Sequence, residues 1–285
     1  MEATRKEVLR FDDLTPYLLL KNGNYLYKVP FRGGWAVLKV YYGSRGLLET
    51  WSKSLGNVLF EGQTSYLPKT RRRMERECLA LWARHGFRTM RVYDDVEVEA
   101  PPSQCPPGGY LLLEYVEAPT LEQYLRDPER PQEEKLSVYE RWVAEWSRRH
   151  AVAEREREPR LMHENGDAGH VFILEDGGFL WFDFEMVYRS RSKVREYLGH
   201  EIIQYLWHLL RNTPPELHEP LLEATVRAYS DRERLAFAPR VFLDPPRLLM
   251  RVARGIDARR KRGRKPTSKY NVARRLRAKL EAAGP

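Results

Sequence analysis

Four residues, Lys39, Glu75, Asp167 and Asp183, have the types and spacing to move a phosphoryl group. Lys39 interrupts Ala36-Val37-Leu38-Lys39-Val40, a run apolar enough for a central strand, where an ammonium is costly unless an anion meets it. On an edge strand the same lysine would point to water. The stretch RRRMERECLALWARHGF has helical periodicity, with Met74, Cys78, Leu81 and Trp82 on one stripe. Glu75 falls inside that stripe and Glu77 on its edge, so a helix packed on the lysine strand offers Glu75, with Glu77 as the alternative, to Lys39. Such an ion pair would hold a lysine over nucleotide phosphates. Downstream, Asp167 and Asp183 stand 16 residues apart at adjacent ends of a hairpin made by HVFIL and FLWFDF. Phosphoryl transfer uses one carboxylate to orient and deprotonate the acceptor hydroxyl and another to hold a metal on the phosphates. Either Asp alone reads as a turn residue. The order Lys, Glu, Asp, Asp reads as a site.

The periodicity also marks the elements that must position these groups. YLLLK, YLYKVP and WAVLKVYYG read as three antiparallel strands, with turn signals at Asn22-Gly23-Asn24 and Gly33-Gly34. Residues 44–68 have no clear period and read as an insertion. A helix then runs to a stop at Gly86. RVYDDVEVEA and GYLLLEYVEA flank the Pro-rich PPSQCPPGG and complete an expected five-stranded sheet with one helix. Beyond Pro119, helices are expected over 121–126 and 132–155, then a short strand pair around Asp176-Gly177-Gly178, then mostly helix from about 194 to 281. The fold class is therefore α+β, with a β-rich N-terminal lobe over residues 1–117 and a helical C-terminal lobe over 118–285. His150, His200 and His208 read as packing or solvent residues, and Trp142, Trp146 and Trp207, at helical spacing, as core.

Composition narrows the setting. With 285 residues, 42% hydrophobic and 12% aromatic, the chain can bury a large core and cannot be disordered as a whole. Two cysteines, Cys78 and Cys105, supply neither a disulfide framework nor a four-ligand zinc site. The N-terminal MEATRKEVLRFDDLTPY puts acidic residues where a signal peptide needs an apolar run, and no apolar stretch approaches a membrane span. A cytoplasmic protein is expected. Of the overall +9 charge, residues 247–281 carry 14 Lys or Arg against Asp257 and Glu281, a net +12, so the remainder sums to −3. Such a basic tail, helical from about 247, suits phosphates, acidic headgroups or water alone. Tyr270 is its one aromatic residue, which disfavours a base-stacking nucleic-acid platform. No nucleophile elbow surrounds any serine, which disfavours a hydrolase.

Taken together, VLKV, the helix glutamate, LLLEYVEAPTLEQYL, NGDAGHVFIL and FDFE resemble the protein-kinase-like superfamily across roughly residues 15–210. Within it the chain looks most like the bacterial lipopolysaccharide core sugar kinases, the Kdo and heptose group, with RIO-type compact kinases next. A short phosphate-side hairpin, DFE in place of DFG and no APE element favour that group. The resemblance implies a two-lobed protein-kinase-like fold and ATP-dependent transfer, with Mg²⁺ or Mn²⁺, to a sugar hydroxyl of an anionic glycolipid at the inner face of the cytoplasmic membrane. It implies Lys39 on the phosphates, Glu75 as its partner, Asp167 as the catalytic carboxylate and Asp183 on the metal. Glu114 and Val116 would then supply hinge backbone groups to adenine.

Several positions depart from the family pattern. No GxGxxG occurs; Asn22 and Gly23 in Lys21-Asn22-Gly23-Asn24 are the candidates to offer backbone N–H groups to phosphate. Asn165 stands two before Asp167, and Phe172 occupies the usual Asn position five after it. If the loop is two residues shorter, His170 takes that position and either coordinates a metal such as Mn²⁺, contacts phosphate, or is structural. After FDFE, the cations Arg189, Arg191, Lys193 and Arg195 suit an acceptor bearing carboxylates or phosphates, or form a solvated loop. The basic tail would lie peripherally on anionic headgroups. Two alternatives accompany the sugar kinase, a RIO-like protein kinase and a catalytically inactive kinase-fold binding protein.

Overall fold

The structure is a computed structural model that describes residues 6–21, 23–41, 67–244 and 265–284. The segment 44–66, most of the expected insertion, lies outside the described residues, as do Asn22 and the cluster Arg259–Arg262. The chain divides into two compact units, Met1–Glu117 with Phe182–Arg189, and Ala118–Trp181 with Ser190–Pro285. The architecture is α+β, as the periodicity predicts.

In the first unit, β2 (Leu18–Lys21), β3 (Tyr25–Phe31), β4 (Gly34–Val40) and β7 (Tyr110–Glu114) form an antiparallel sheet in the order β2-β3-β4-β7. β4 is buried from Ala36 to Val40, and Lys39 pairs in register with Leu26 on one side and Leu111 on the other. That double burial is why the strand is apolar without alternation. The turn before it uses Arg32 and Gly33, both at positive φ (48° and 77°), the geometry of a two-residue hairpin, so Gly34 opens β4 and is not part of the turn.

Among the described residues the expected five-stranded sheet is corrected to four strands. Within RVYDDVEVEA, Val92 makes a single bridge to Leu113, a turn at Asp94-Asp95 diverts the chain, and β6 (Val96–Glu99) pairs in parallel with β1 (Glu7–Arg10). Val96 and Val98 alternate inward to the core that also holds Leu14, Val29, Ala36, Leu38 and Leu112. Arg32 fastens the diversion by pairing with both Glu7 and Asp95.

Helix α1 (Pro68–Arg84) starts three residues before the expected 71, with Pro68 at its first position, where a missing N–H costs nothing. Its buried face carries Arg71, Met74, Glu75, Cys78, Leu79, Leu81 and Trp82. It is followed by Gly86 at φ 74° and by the two-residue strand β5 (Arg88–Thr89).

The second unit begins with α2 (Leu121–Arg126), started by a capping box between Thr120 and Gln123, and α3 (Gln132–Glu156). A hairpin of β8 (Val171–Ile173) and β9 (Phe179–Trp181) turns through Gly177 at φ 76°. Then come α4 (Val194–Asn212), α5 (His218–Ala228), α6 (Arg232–Leu243) and α7 (Lys269–Ala282). Trp142 and Trp146 stack at 4.9 Å and meet the ring of Tyr205 edge-on. Trp207, expected in the core, is half-buried and carries Lys269 over its ring. Gly199 lets α4 approach α6 closely, since a Cβ there would stand 2.4 Å from Val241.

The described end of the basic tail is a packed helix. Val272, Ala273, Leu276 and Leu280 of α7 are buried, Arg275 and Lys279 pair with Glu219, and Arg277 pairs with Asp244. No described helix is long and apolar enough to cross a membrane.

Candidate functional site

In the first unit Lys39 is the centre of a buried charge cluster. Its Nζ lies 2.7 Å from Glu75 Oε2, 2.8 Å from Asp183 Oδ1 and 2.8 Å from Glu185 Oε1. β4 presents the lysine and the helix phase of α1 presents Glu75. The segment 182–189 brings Asp183 and Glu185. The Tyr41 hydroxyl donates to Glu75 Oε2 at 2.5 Å, holding the carboxylate from its other side. Arg71, one turn before Glu75, donates to Glu185 and to Asn24 Oδ1, and the Asn24 amide also donates to Glu185. Three carboxylates thus face two cations.

Burial opposes the charge on Lys39, but Asp183, Glu185 and Glu75 outweigh it and hold the ammonium protonated well above the ordinary lysine value. Glu75 also shifts upward, which for a carboxyl disfavours the charged form. Burial pushes its carboxyl up to about 7; Lys39 pulls it down, while Glu185 and Asp183 push it up further. Both shifts have one cause, since the lysine has three anions around it while Glu75 shares its one cation with two rivals. Asp183 stands at φ 71°, a left-handed conformation that costs a non-glycine residue about 1–3 kcal/mol and persists only where surroundings impose it.

Among the described residues, the ligand-type side chains that gather are Glu75, Asp183 and Glu185, with donor atoms within 4.8 Å of one another. These are hard oxygen donors, the kind Mg²⁺ and Mn²⁺ take. Their uncompensated negative charge fits a cation, and Asp183, its side chain 30% exposed, is the most accessible of the three.

In the second unit the loop before β8 presents Asp167. Its Oδ1 accepts the Gly169 N–H at 2.8 Å, and its backbone carbonyl accepts the His170 N–H at 2.9 Å, which closes a tight turn. Gly166 is required by close approach, because a Cβ there would stand 2.6 Å from the Tyr205 ring. Tyr205 also hydrogen-bonds His163 Nδ1 at 2.7 Å. Helix α4 therefore braces this loop at two successive points, and His208, one turn beyond Tyr205, brings Nδ1 to 3.2 Å from Asp167 Oδ2.

The remaining predicted residues fall as follows. His170 sits in the turn after Asp167, its ring 5.7 Å from that of His163, and Phe172 is a β8 residue bridged to Thr120. Glu114 ends β7, and its N–H donates to the Arg91 carbonyl at 2.9 Å, which leaves only its carbonyl for a ligand; Val116 lies half-buried just beyond. Gly23 has φ 75°, and its carbonyl accepts from Arg71. In the basic run, Arg195 pairs with Glu233 and Glu154 and lies over Phe237, and Arg191 approaches Glu158. Arg189 and Lys193 flank the turn Arg191–Lys193 or belong to it. Glu77 is exposed, away from Lys39.

No protein-family model matches the chain, and no curated protein matches it. Solved structures do. A pseudokinase in its apo form aligns over 99% of this chain and 100% of its own, at 15% identity and a TM-score of 0.42. The Rio2 kinase of Chaetomium thermophilum, solved as an ADP/Mg²⁺-phosphoaspartate complex, aligns over 93% of this chain and 69% of its own, at 13% identity and a TM-score of 0.41. At this level of likeness the chemistry rests on the site's own residues.

Four of those residues escaped the sequence. Arg71 had a findable signal, since it lies four residues before Glu75 on the same stripe. Tyr41, Asn24 and Glu185 had none beyond being polar or aromatic near a candidate. His208, read as a packing or solvent residue, stands instead beside Asp167.

Proposed function

We propose that the chain is a protein-kinase-like phosphotransferase that moves the γ-phosphoryl group of ATP to an acceptor hydroxyl. The observation that carries this reading is the buried lysine on a central strand, held by a helix glutamate and an aspartate in a left-handed conformation. A lysine kept charged in the interior by Asp183, Glu185 and Glu75 is set to bind phosphate oxygens. Tyr41 holds Glu75 and Arg71 holds Glu185, the two glutamates beside it. Asp183 and Glu185 are the oxygen donors that would hold Mg²⁺ or Mn²⁺, and the bound metal would neutralise charge developing on the phosphates. Asp167 is assigned the acceptor proton.

For the acceptor we infer a sugar hydroxyl of an anionic glycolipid, such as the lipopolysaccharide inner core. The resemblance and the run Arg189–Arg195 support it, with Arg189 and Lys193 as its testable cations because Arg191 and Arg195 have acidic neighbours. Labelled ATP incubated with core glycolipids, free sugars and total protein, followed by locating the label, tests both levels. Transfer to glycolipid that falls in Arg189→Ala with Lys193→Ala supports the finer reading; label on protein alone replaces the acceptor. No transfer, together with no rise in melting temperature on adding ATP and Mg²⁺ or Mn²⁺, removes the phosphotransferase reading.

A further inference from the structure

The Asp167 carboxylate is held asymmetrically. Oδ1 has the Gly169 N–H at hydrogen-bond distance, whereas Oδ2 faces His208 Nδ1 at 3.2 Å. That Nδ1 is buried and has no well-formed hydrogen-bond partner among the described residues. A small rotation of the ring or the carboxylate would complete the bond. The histidine is kept in place by its helix, since Tyr205, three residues earlier on α4, is anchored on His163 and against Gly166. Asn212, four residues later, donates to Glu122 Oε2 of α2 at 2.8 Å. His208 is therefore carried on a rigid face that meets the loop bearing Asp167 at several points.

We propose that His208 is a positioning residue for Asp167, donating Nδ1–H to Oδ2 and so fixing the rotation of the carboxylate that takes the acceptor proton. The inference rests on the phosphotransferase reading above. In the step it serves, the acceptor oxygen forms its bond to the γ-phosphorus and the bond from that phosphorus to the ADP oxygen breaks. The hydroxyl proton goes to Asp167 and from there to solvent. His208 remains neutral throughout. A second proton on the imidazole would place a positive charge beside Asp167 and make it a poorer base.

The groups facing the ring bear on when that happens. Burial lowers the imidazole pKa, Asp167 opposes the shift, and Lys269 of α7, His170 of the loop and Arg211 of α4 reinforce it. The ring is thus neutral at pH 7 and gains its proton only below the ordinary histidine range, which gives turnover an acid limb.

Three variants of the full chain test this. His208→Leu keeps bulk without a donor and is expected to lower kcat roughly ten- to a hundredfold, the scale of a misoriented catalytic group, with KM for ATP unchanged. His208→Asn, whose amide nitrogen sits where Nδ1 did, is expected to recover most of that loss and to lack the acid limb. A purely structural histidine would show neither the rescue nor the altered pH profile. Independently of turnover, the His208 imidazole followed by NMR should titrate at lower pH in Asp167→Asn than in the parent. Wild-type kcat in His208→Leu, or an unmoved imidazole titration in Asp167→Asn, overturns the inference while leaving ATP-dependent transfer standing. Absence of any transfer by the parent chain overturns the proposed function, and the positioning role with it, even where the titration shows the two side chains in contact.

Discussion

Each unit buries a cluster of charge, and the two clusters are built differently. In the second unit Arg149, His150 and Glu201 are all fully buried. Arg149 pairs with Glu201 and donates to the Leu161 carbonyl at 2.7 Å, His150 Nε2 lies 3.3 Å from Glu201, and His150 Nδ1 meets the Tyr229 hydroxyl at 2.7 Å. Trp146 and Tyr229 close over it edge to face. One arginine answers one carboxylate. In the first unit three carboxylates share Lys39 and Arg71, Asp183 reaches solvent, and its backbone is strained. The closed cluster fixes α3, α4 and the chain at Leu161 that leads to Asp167. The open one holds a lysine among more anions than it neutralises, an arrangement suited to exchanging partners with a phosphate or a metal.

The largest effect is expected in the closed cluster. Glu201→Ala leaves Arg149 charged, buried and without its anion, which should cost about 3–5 kcal/mol in denaturant unfolding. A near-native midpoint would mean that this cluster is not the fixed one. Lys39→Ala should act on the other axis, removing a preorganised phosphate partner and lowering turnover on the order of 10²–10³-fold. Its folding cost should be smaller than that of Glu201→Ala, because Glu75, already pushed up to about 7, can take a proton once its cation is gone. Glu75→Ala should also cut turnover, and Glu77→Ala, at an exposed position, should not. Equal turnover in both glutamate variants would remove the lysine partner from the mechanism.

What the sequence disclosed follows from how local each signal was. Lys39 and Glu75 announced themselves because strand and helix periods are short, and an out-of-place charge shows against an apolar pattern within a few residues. The strand pairing of Val96–Glu99 did not, because its partner Glu7–Arg10 lies far away in sequence and reads as polar in the run EVLR. His208 was hidden for the same reason, being 41 residues from Asp167 on a helix whose other polar residues look alike. In the described part of the tail, composition does not disclose pairing, since Arg275, Arg277 and Lys279 count as cations in a sequence but meet acids in the fold.

The clusters should also titrate in opposite senses. Burial lowers His150 to about 4, so the stability from its neutral form is complete above about 6.5 and is lost as pH falls toward 4. Glu201, lowered to about 2 by Arg149 and His150 against burial, adds a loss in the same direction between about 4.5 and 2. Glu75 runs the other way, since a carboxyl raised to about 7 favours the fold at low pH and loses that contribution as pH rises from about 4.5 through 7. At about 1.4 kcal/mol per unit, each contribution amounts to a few kcal/mol. Unfolding midpoints of His150→Gln and Glu75→Gln, each followed from pH 4 to 8, should therefore lose slopes of opposite sign. Slopes of the same sign would collapse the distinction between the clusters.

The smallest effect is expected where the same ion-pair chemistry stands in water. Arg277 and Asp244 approach to 2.6 Å, as close as Lys39 comes to its carboxylates, with side chains 36% and 63% exposed. Solvent screens such a pair and side-chain entropy offsets it, so Arg277→Ala should cost at most about 1 kcal/mol. Leu276, its neighbour on the buried face of α7, should cost about 2–5 kcal/mol on truncation to alanine through lost burial and an unfilled cavity. The contrast within one turn of helix separates the two contributions, because both substitutions sit at comparable helix positions and change helix propensity little. If Arg277→Ala proves as costly as Leu276→Ala, proximity of charges rather than their burial governs these pairs, and the contrast between the closed and open clusters loses its physical basis.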